Sequence, residues 1–166
     1  MKTLLILRHA KSSWKHPEWT DHDRPLNKRG KRDAPCMGKL LRTQGLVPDL
    51  IISSTAKRAR STAKIVARKS GYKEEVELTP RFYLASPSEY ISVLTRLSDD
   101  YERVMVVGHN PGMEELVERL TGELEIMTTA ALAQVLLSID QWSQLDEETA
   151  GELAHLWRPK ELINFQ

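Results

Sequence analysis

Two histidines and an arginine stand directly after short apolar runs, where buried strands would end. The runs cover residues 4–7, 50–52 and 104–107, and the residues that follow them are Arg8-His9, Ser53-Ser54 and Gly108-His109. Aliphatic runs without polar alternation are typical of parallel strands buried on both faces. Open α/β sheets bind ligands at the carboxyl ends of their strands. We therefore expect His9 and His109 to meet at one edge of a sheet.

More cations come at the start of the helix expected after the second strand. Lys57, Arg58 and Arg60 lie in its first turns, beside free backbone N–H groups and the positive end of the helix dipole. Guanidinium groups next to a helix N-terminus favour an anion, above all phosphate. A single such histidine or arginine is commonly structural or solvated. Two histidines at strand ends favour function, although the spacing leaves open whether Arg58 or Arg60 faces the site.

Helices with recognisable ends separate these strands. The first is predicted over residues 27–44, with Asn27 as its N-cap and Pro35 as a kink or interruption. The second is predicted over 56–70, and the third begins with Asn110 as N-cap and Pro111 as its first residue. Weaker patterns indicate strands at 76–79, 132–139 and 152–157 and a helix over 87–97 capped by Ser86 or Ser88. The alternation predicts an α/β fold, with residues 1–166 forming a single three-layer α/β/α domain around a mostly parallel sheet.

Composition agrees with an ordinary globular chain and excludes several classes. The 166 residues are 40% hydrophobic and 28% charged, with a formal net charge of +1, which excludes collagenous and largely disordered proteins. Residues 1–70 hold 17 basic and 5 acidic side chains, a net +12, whereas residues 71–166 hold 7 and 18, a net −11. If strands from both halves interleave in one sheet, this split describes a bipolar surface.

The sequence lacks a cysteine pair, a membrane-spanning segment and the common cofactor-binding and catalytic motifs. Cys36 is the only cysteine, so no internal disulfide is possible, and no apolar run approaches the roughly 20 residues of a membrane span. We expect a cytoplasmic protein that does not bind membranes. P-loop, dinucleotide-binding, serine-elbow, zinc-protease and C-x-x-C motifs are all missing, so the corresponding chemistries have no support.

Taken in order, the motifs resemble the histidine phosphatase superfamily, the phosphoglycerate-mutase-like proteins. The matching segments cover nearly the whole chain: Arg8-His9-Ala10, Arg24-Pro25-Leu26-Asn27-x-x-Gly30, Ser54-Thr55-Ala56-Lys57-Arg58-Ala59, Val107-Gly108-His109-Asn110, Thr129-Ala130-Ala131-Leu132 and Arg158-Pro159-x-x-Leu162. The chain length and the residues of these motifs are most similar to those of the small SixA-type phosphohistidine phosphatases. The resemblance implies a phosphoglycerate-mutase-like fold and a phosphorylated protein or a small phosphorylated molecule as substrate.

The resemblance also assigns roles to residues. It implies that His9 is the nucleophile, that Arg8, Arg58 and His109 hold the phosphoryl oxygens, and that Arg60 stays on the surface. Ser12 falls where many relatives carry serine, and we count it among the phosphate-binding candidates. A neutral imidazole can take up a phosphoryl group covalently while arginines neutralise its oxygens. The chemistry therefore calls for no metal and no cofactor.

The general acid is where the sequence departs from larger relatives, many of which carry a glutamate after the third strand. Residues 80–84 have no carboxylate here. Asp21, Asp23 and Glu89 are possible substitutes, although each is better explained as a solvated loop or helix charge. A missing acid costs roughly 10²–10⁴-fold on an alkoxide leaving group. It matters less for a phosphoramidate, whose nitrogen can be protonated before it departs, and this favours phosphohistidine over sugar phosphates.

Other interpretations stay open at this stage. The chain can be a phosphate- or phosphoprotein-binding module without turnover, or a small-molecule phosphomonoesterase, whereas nucleic-acid binding by the basic half lacks a recognition motif. His16, Asp21, His22 and Asp23 share one loop and have metal-ligand chemistry, but their spacing matches no standard site. In the same loop, Trp14 and Trp19 either rim a pocket or anchor the loop. The sequence does not specify an oligomeric state.

Overall fold

The computed structural model describes residues 1–163, which form six strands and five α-helices. The strands are β1 (Lys2–Arg8), β2 (Leu50–Ser54), β3 (Glu77–Thr79), β4 (Arg103–Gly108), β5 (Leu132–Leu137) and β6 (Gly151–Trp157). The helices are α1 (Lys28–Thr43), α2 (Lys57–Ser70), α3 (Pro87–Leu94), α4 (Gly112–Thr121) and α5 (Pro159–Ile163). Single 3-10 turns lie at Asp21–Asp23, Pro80–Phe82 and Trp142–Gln144. Among these helices, none is long and apolar enough to cross a membrane.

The strands join one sheet in the order β3-β2-β4-β1-β5-β6. Strands β1 to β4 run parallel, while β5 and β6 are antiparallel to their neighbours. The predicted α/β class and mostly parallel sheet are therefore confirmed. Because β1 and β4 pair at the centre, the carboxyl ends of β1, β4 and β2 lie side by side, where such sheets place their ligands.

The sheet has a separate apolar core on each face, which gives the three-layer architecture. Leu5 and Leu7 of β1 belong to the core that includes α1 and α2, whereas Leu4 and Ile6 belong to the core that includes α3 and α4. This alternation follows from the two-residue period of a strand. All six strands share this sheet, which supports our proposal that residues 1–166 form one domain.

Several predicted helix ends are confirmed. The Asn27 side chain caps α1 by accepting from the backbone N–H of Gly30 at 2.9 Å. Helix α2 ends at Gly71, whose φ of 87° is a left-handed conformation that glycine adopts without steric cost. The predicted interruption at Pro35 is wrong, since α1 continues through it; its two-sided packing on α2 and the sheet outweighs the lost hydrogen bond.

Other boundaries differ from the sequence prediction. Asn110 is not the N-cap of α4, because Pro111 takes that position and the Asn110 amide donates to Glu114 Oε2 and to the Met127 carbonyl. Helix α3 ends at Leu94 and not at residue 97, because the following bonds tighten to three-residue turns. Strand β5 ends at Leu137 and not at residue 139, where its pairing with both neighbours stops.

Candidate active site

The carboxyl ends of β1, β2 and β4 surround a cavity of about 200 Å³. The side chains around it share positive charge or hydrogen-bonding capacity; they are Arg8, His9, Lys11, Ser12, Trp14, Arg24, Arg58, Leu84, His109, Asn110 and Thr129. The structure thus brings together the two histidines and the two arginines that the sequence singled out. Three larger depressions formed by the described residues have no histidine in their lining.

His9 is held rigidly at the end of β1. Its backbone N–H donates to the Gly108 carbonyl, and its own carbonyl accepts from the N–H of Ala130, both at 3.0 Å. The ring is buried, and its Nδ1 lies 2.7 Å from the carbonyl oxygen of Ala10. Because a carbonyl oxygen can only accept, Nδ1 carries the proton and Nε2 keeps its lone pair. Burial, assisted by the charges of His109, Arg58 and Arg8, lowers the pKa of His9 to about 3.

His109 lies at the end of β4, with its ring centroid 5.1 Å from that of His9. Its Nε2 is 2.8 Å from the hydroxyl of Ser54, which also accepts from the N–H of Ala56. Its Nδ1 is buried and has no hydrogen-bond partner among the described residues. Burial, followed by the charge of Arg58, lowers the pKa of His109 to about 3. If the Ser54 hydroxyl donates to Nε2, Nδ1 becomes an N–H donor available to a ligand.

The two guanidinium groups are anchored by oxygen acceptors at their far ends. Arg58 is buried in the first turn of α2 and donates to the Asp21 carbonyl at 2.6 Å and to Asp21 Oδ2 at 3.0 Å. Arg8 donates to the Met127 carbonyl at 3.0 Å, and burial lowers its pKa. The Nε atoms of both side chains are buried without a partner among the described residues. Buried donors of this kind are expected to have an acceptor, and an oxyanion can supply one.

The Asp21 carboxylate connects three side chains at one side of the cavity. It accepts from Arg58, from Arg24 Nε at 3.2 Å and from the Tyr83 hydroxyl at 2.6 Å. Partial burial acts to raise the pKa of Asp21, but the Tyr83 hydrogen bond and the charges of Arg58 and Arg24 outweigh it and lower the pKa to about 2. Asp21 is therefore an ionised carboxylate at neutral pH, which disfavours it as a proton donor.

Comparison with known proteins places the sequence in a family. The profile of the histidine phosphatase superfamily (branch 1) matches residues 4–83. An uncharacterised protein of Mycobacterium leprae is 37% identical over 161 residues, which span 89% of this chain and 97% of that protein. The chain belongs to the histidine phosphatase superfamily.

Solved structures agree with this membership. The protein of Agrobacterium tumefaciens provisionally named phosphohistidine phosphatase SixA is 29% identical, with a TM-score of 0.81 over 95% of this chain and 98% of that one. A protein histidine phosphatase SixA in complex with tungstate has a TM-score of 0.82 at 24% identity, over 96% of this chain and 99% of that one, and agrees in fold. The phosphoglycerate-mutase-like fold and the similarity to SixA proteins expected from the motifs are confirmed.

The remaining candidate residues fall in different places. Ser12 is buried at the cavity wall, where its hydroxyl accepts from Arg24 Nη1 at 2.8 Å. Asp23 is exposed and lies 3.7 Å from His22 Nδ1. Glu89 accepts from Arg81 Nε at 3.1 Å on the surface of α3. Neither Asp23 nor Glu89 lines the cavity, so their position argues against a role as general acid.

The loop with His16 and His22 forms local contacts. His16 Nδ1 lies 3.0 Å from Glu18 Oε1, its ring packs on Trp19, and His22 Nε2 lies 2.9 Å from the Thr55 hydroxyl. Within residues 1–163, no group of three or more histidine, cysteine, aspartate or glutamate side chains is placed to hold a metal ion. Trp14 lines the cavity mouth, so the two tryptophans of this loop differ in their surroundings.

Sequence reasoning missed Arg24 and Tyr83 as parts of the histidine phosphatase site. Arg24 is buried, lies 3.4 Å from the centre of the Trp14 ring and contacts both Ser12 and Asp21. Its only signal in the sequence is its place in the segment that starts α1, directly before Pro25-Leu26. Tyr83 lies in the segment that lacks a carboxylate, and a search restricted to carboxylates could not find it.

Backbone strain is also concentrated here. Leu84 and Ala130 have positive φ angles of 51° and 63°, a region that costs non-glycine residues of order 1–3 kcal/mol. Leu84 lines the cavity, and the N–H of Ala130 holds the carbonyl of His9. Packing around the site therefore maintains two unfavourable conformations that shape its wall and fix the His9 backbone.

Proposed function

We propose that this protein is a phosphohistidine phosphatase that works through a covalent phosphohistidine on His9. Membership in the histidine phosphatase superfamily supports phosphatase activity in general. The observation that carries the covalent mechanism is the hydrogen bond from His9 Nδ1 to the Ala10 carbonyl, since it leaves a lone pair on Nε2 of a histidine that lines the same cavity as Arg8 and Arg58. With a pKa of about 3, His9 is neutral and nucleophilic at physiological pH.

The reaction has two displacements at phosphorus. In the first, the Nε2 lone pair of His9 forms a bond to phosphorus while the phosphorus–nitrogen bond of the substrate breaks, and the departing imidazole takes up a proton. In the second, a water oxygen attacks the same phosphorus, the bond to Nε2 breaks, and inorganic phosphate leaves. Two easier steps thereby replace one difficult step. Our assignment gives the phosphoryl oxygens to Arg8, Arg58 and His109, with Ser12 at the wall, and requires no cofactor.

Charge stabilisation in this scheme depends on the unpaired donors around the cavity. The Nε atoms of Arg8 and Arg58 and the Nδ1 of His109 are buried without partners among the described residues. An incoming phosphoryl group supplies their acceptors, and its negative charge raises the proton affinity of His109. Donors preorganised toward developing charge are commonly the largest catalytic contribution in such sites.

The leaving group favours phosphohistidine over a phosphate ester. Asp21 is an ionised carboxylate, while Asp23 and Glu89 face other partners. Within the described residues, the cavity thus offers no carboxylic acid ready to protonate an alkoxide. An imidazole leaving group needs less assistance, because its nitrogen can be protonated by solvent before the bond breaks.

The single thiol, Cys36, further supports the cytoplasm as the proposed compartment.

The test is a comparison of substrates that differ only in the leaving group. A peptide phosphorylated on histidine, the same peptide with phosphoserine, and p-nitrophenyl phosphate are offered to wild type and to His9→Ala. We expect the phosphohistidine peptide to have a kcat/KM at least about 100-fold above the phosphoserine peptide, within the range attributed to general-acid assistance. We expect His9→Ala to hydrolyse none of the three.

Two outcomes would contradict this proposal, and each would support a different function. Equal turnover of phosphoserine, or turnover of sugar phosphates but not of phosphohistidine, would make the protein a small-molecule phosphomonoesterase. Tight binding of phosphate without hydrolysis of any substrate would make it a phosphate-binding module.

A further inference from the structure

A second cavity, of about 380 Å³, adjoins the catalytic one on the side of α1 and α5. The residues around it are Arg29, Arg32, Asp33, Thr128, Thr129, Pro159 and Lys160. Thr129 lines both cavities. A molecule seated over the catalytic cavity therefore has this second cavity immediately beside it.

The second cavity is positively charged, and one buried carboxylate orients its arginines. Asp33 has a side chain only 6% exposed, and it lies 3.4 Å from Arg32 Nε and 3.8 Å from Arg29 Nε. The far end of Arg29 donates from Nη2 to the Thr129 hydroxyl at 3.1 Å. With Lys160 the lining carries three cations against one anion. The cations are exposed to solvent, whereas their partner is buried.

These charges are unfavourable for α1 itself. Its first turn contains no acidic residue, while Lys28, Arg29, Lys31 and Arg32 all lie at the positive end of the helix dipole. Cations at this end are destabilising, and acidic side chains are the usual choice there. Local choices that oppose the fold are typical of residues kept for function. The cluster therefore needs an explanation other than helix stability.

We propose that this second cavity binds carboxylate side chains that flank the phosphohistidine on a protein substrate. The inference rests on the proposed function, because it takes the phosphoryl-bearing residue to sit in the neighbouring cavity. Acidic side chains near that residue then lie over Arg29, Arg32 and Lys160, and the opposite charges select the partner. The walls formed by Thr128 and Pro159 leave room for the backbone and stems of such a segment.

The test uses two histidine-phosphorylated peptides that are identical except for glutamate or glutamine at the flanking positions. Wild type should favour the glutamate peptide by about tenfold in kcat/KM, mainly through KM, as expected for a few partly exposed charge pairs. Arg32→Gln/Lys160→Gln removes two cations and keeps Arg29, one of the two cationic partners of Asp33. Arg29→Gln/Arg32→Gln/Asp33→Asn removes both arginines together with their buried partner, so it leaves no unpaired buried charge. Both should reduce the preference to less than about threefold.

A matched control lies on the same helix. Lys39→Gln/Arg42→Gln removes two exposed cations from the far end of α1, outside both cavities, and should keep the full preference. Turnover of p-nitrophenyl phosphate should change less than about twofold in Arg32→Gln/Lys160→Gln and in the control, since this substrate has no flanking residues. An unchanged preference in both cluster variants, or an equal loss in the control, would overturn the inference.

Binding separates this inference from the proposed function. Anisotropy of labelled peptides with His9→Ala protein needs no turnover, and it should show the same preference for glutamate and the same loss in the cluster variants. If this preference is present while wild type hydrolyses neither peptide, the docking site stands and the phosphatase proposal fails. If wild type hydrolyses both peptides equally and binds them equally, the phosphatase proposal stands and the docking site fails.

Discussion

The two ends of the parallel strands differ in whether their buried polar atoms have hydrogen-bond partners. At the amino end, Lys2 is 2% exposed, yet its Nζ donates to the carbonyls of Asp99 and Tyr101 and lies 3.4 Å from Glu102 Oε1. Nearby, Asp49 Oδ2 accepts from two successive backbone N–H groups, those of Glu102 and Arg103. Hydrogen bonds within the chain therefore satisfy both the buried Lys2 and the exposed Asp49, and such bonds are the usual condition for burying a charge like that of Lys2.

At the carboxyl end, several buried atoms lack such partners. Among the described residues these are Arg8 Nε, Arg58 Nε, His109 Nδ1 and Asn110 Oδ1, and all four residues line the cavity that contains His9. Within residues 1–163 the amino end has one counterpart, Arg103 Nε. A buried donor without a partner costs free energy, and so does the positive φ of Leu84 and Ala130 beside it. The difference indicates that one end of the sheet is built for stability and the other for binding an anion.

The largest effect should come from removing a donor at the carboxyl end. Arg58→Ala should lower kcat by roughly 10²–10³-fold, the cost of losing one preorganised donor to developing charge. Steady-state kinetics with the phosphohistidine peptide measures it. Arg60→Ala is the matched control, because Arg60 lies on the same helix and does not line the cavity. An equal loss in both variants would show that the charge of the helix matters and not the buried position of Arg58.

A smaller effect is expected from the carboxylate that holds these donors. Asp21→Ala should lower kcat/KM by about tenfold, the cost of losing a hydrogen bond to a charged group that positions Arg58. Asp23→Ala changes an exposed carboxylate of the same 3-10 turn and should alter kcat/KM by less than about twofold. If Asp23→Ala gave the larger loss, Asp23 would be the proton donor and our interpretation of the Asp21 contacts would be wrong.

The two buried histidines also predict how stability depends on pH. The ordinary histidine pKa is 6.5, whereas His9 and His109 have a pKa of about 3 when folded. Between these values the unfolded chain binds protons that the folded chain does not. The free energy of unfolding should therefore fall as the pH falls from about 6.5 toward 3, by at most about 1.4 kcal/mol per pH unit for each histidine.

Urea unfolding at several pH values measures this dependence. The double variant His9→Gln/His109→Gln should show a shallower decline than wild type over the same range. Equal slopes for the two proteins would mean that other groups account for the acid sensitivity.

The smallest effect on catalysis is expected at the amino end. Lys2→Met removes the donor to two backbone carbonyls and should lower the free energy of unfolding by about 1–3 kcal/mol. It should leave kcat within about twofold of wild type, because Lys2 lies at the end of β1 opposite the cavity. Denaturation and steady-state kinetics on the same preparation test the expected loss of stability and the expected unchanged kcat. A large loss of kcat with unchanged stability would contradict the division of roles between the two ends.

The sequence predicted the parts of this arrangement that depend on local pattern. Uninterrupted aliphatic runs identify the three central strands, and the residues after them, Arg8-His9 and Gly108-His109, follow from strand length alone. The position of Arg58 over Arg60 came from the family resemblance, because helix spacing leaves the choice open. Neighbouring residues therefore determine the strands and the residues that follow them, but not the choice of arginine.

Features that depend on distant contacts were not predictable in this way. Asn110 precedes a proline as an N-cap would, but its amide is used by Glu114 and Met127, and the latter lies 17 residues further along the chain. Asp21 resembles a solvated loop charge until the fold brings Arg58, Arg24 and Tyr83 to it. No local sequence pattern predicts these contacts, since the residues that make them come from separate segments of the chain.

The most direct test is to trap the intermediate. Wild type is mixed with a ³²P-labelled phosphohistidine peptide and quenched in alkali during turnover. The protein is then digested, and the fragment of the protein that carries the label is sequenced by mass spectrometry. The account predicts acid-labile, base-stable phosphate on Nε2 of His9, and no label in His9→Ala. Label on another residue, or hydrolysis by His9→Ala at the wild-type rate, would contradict it.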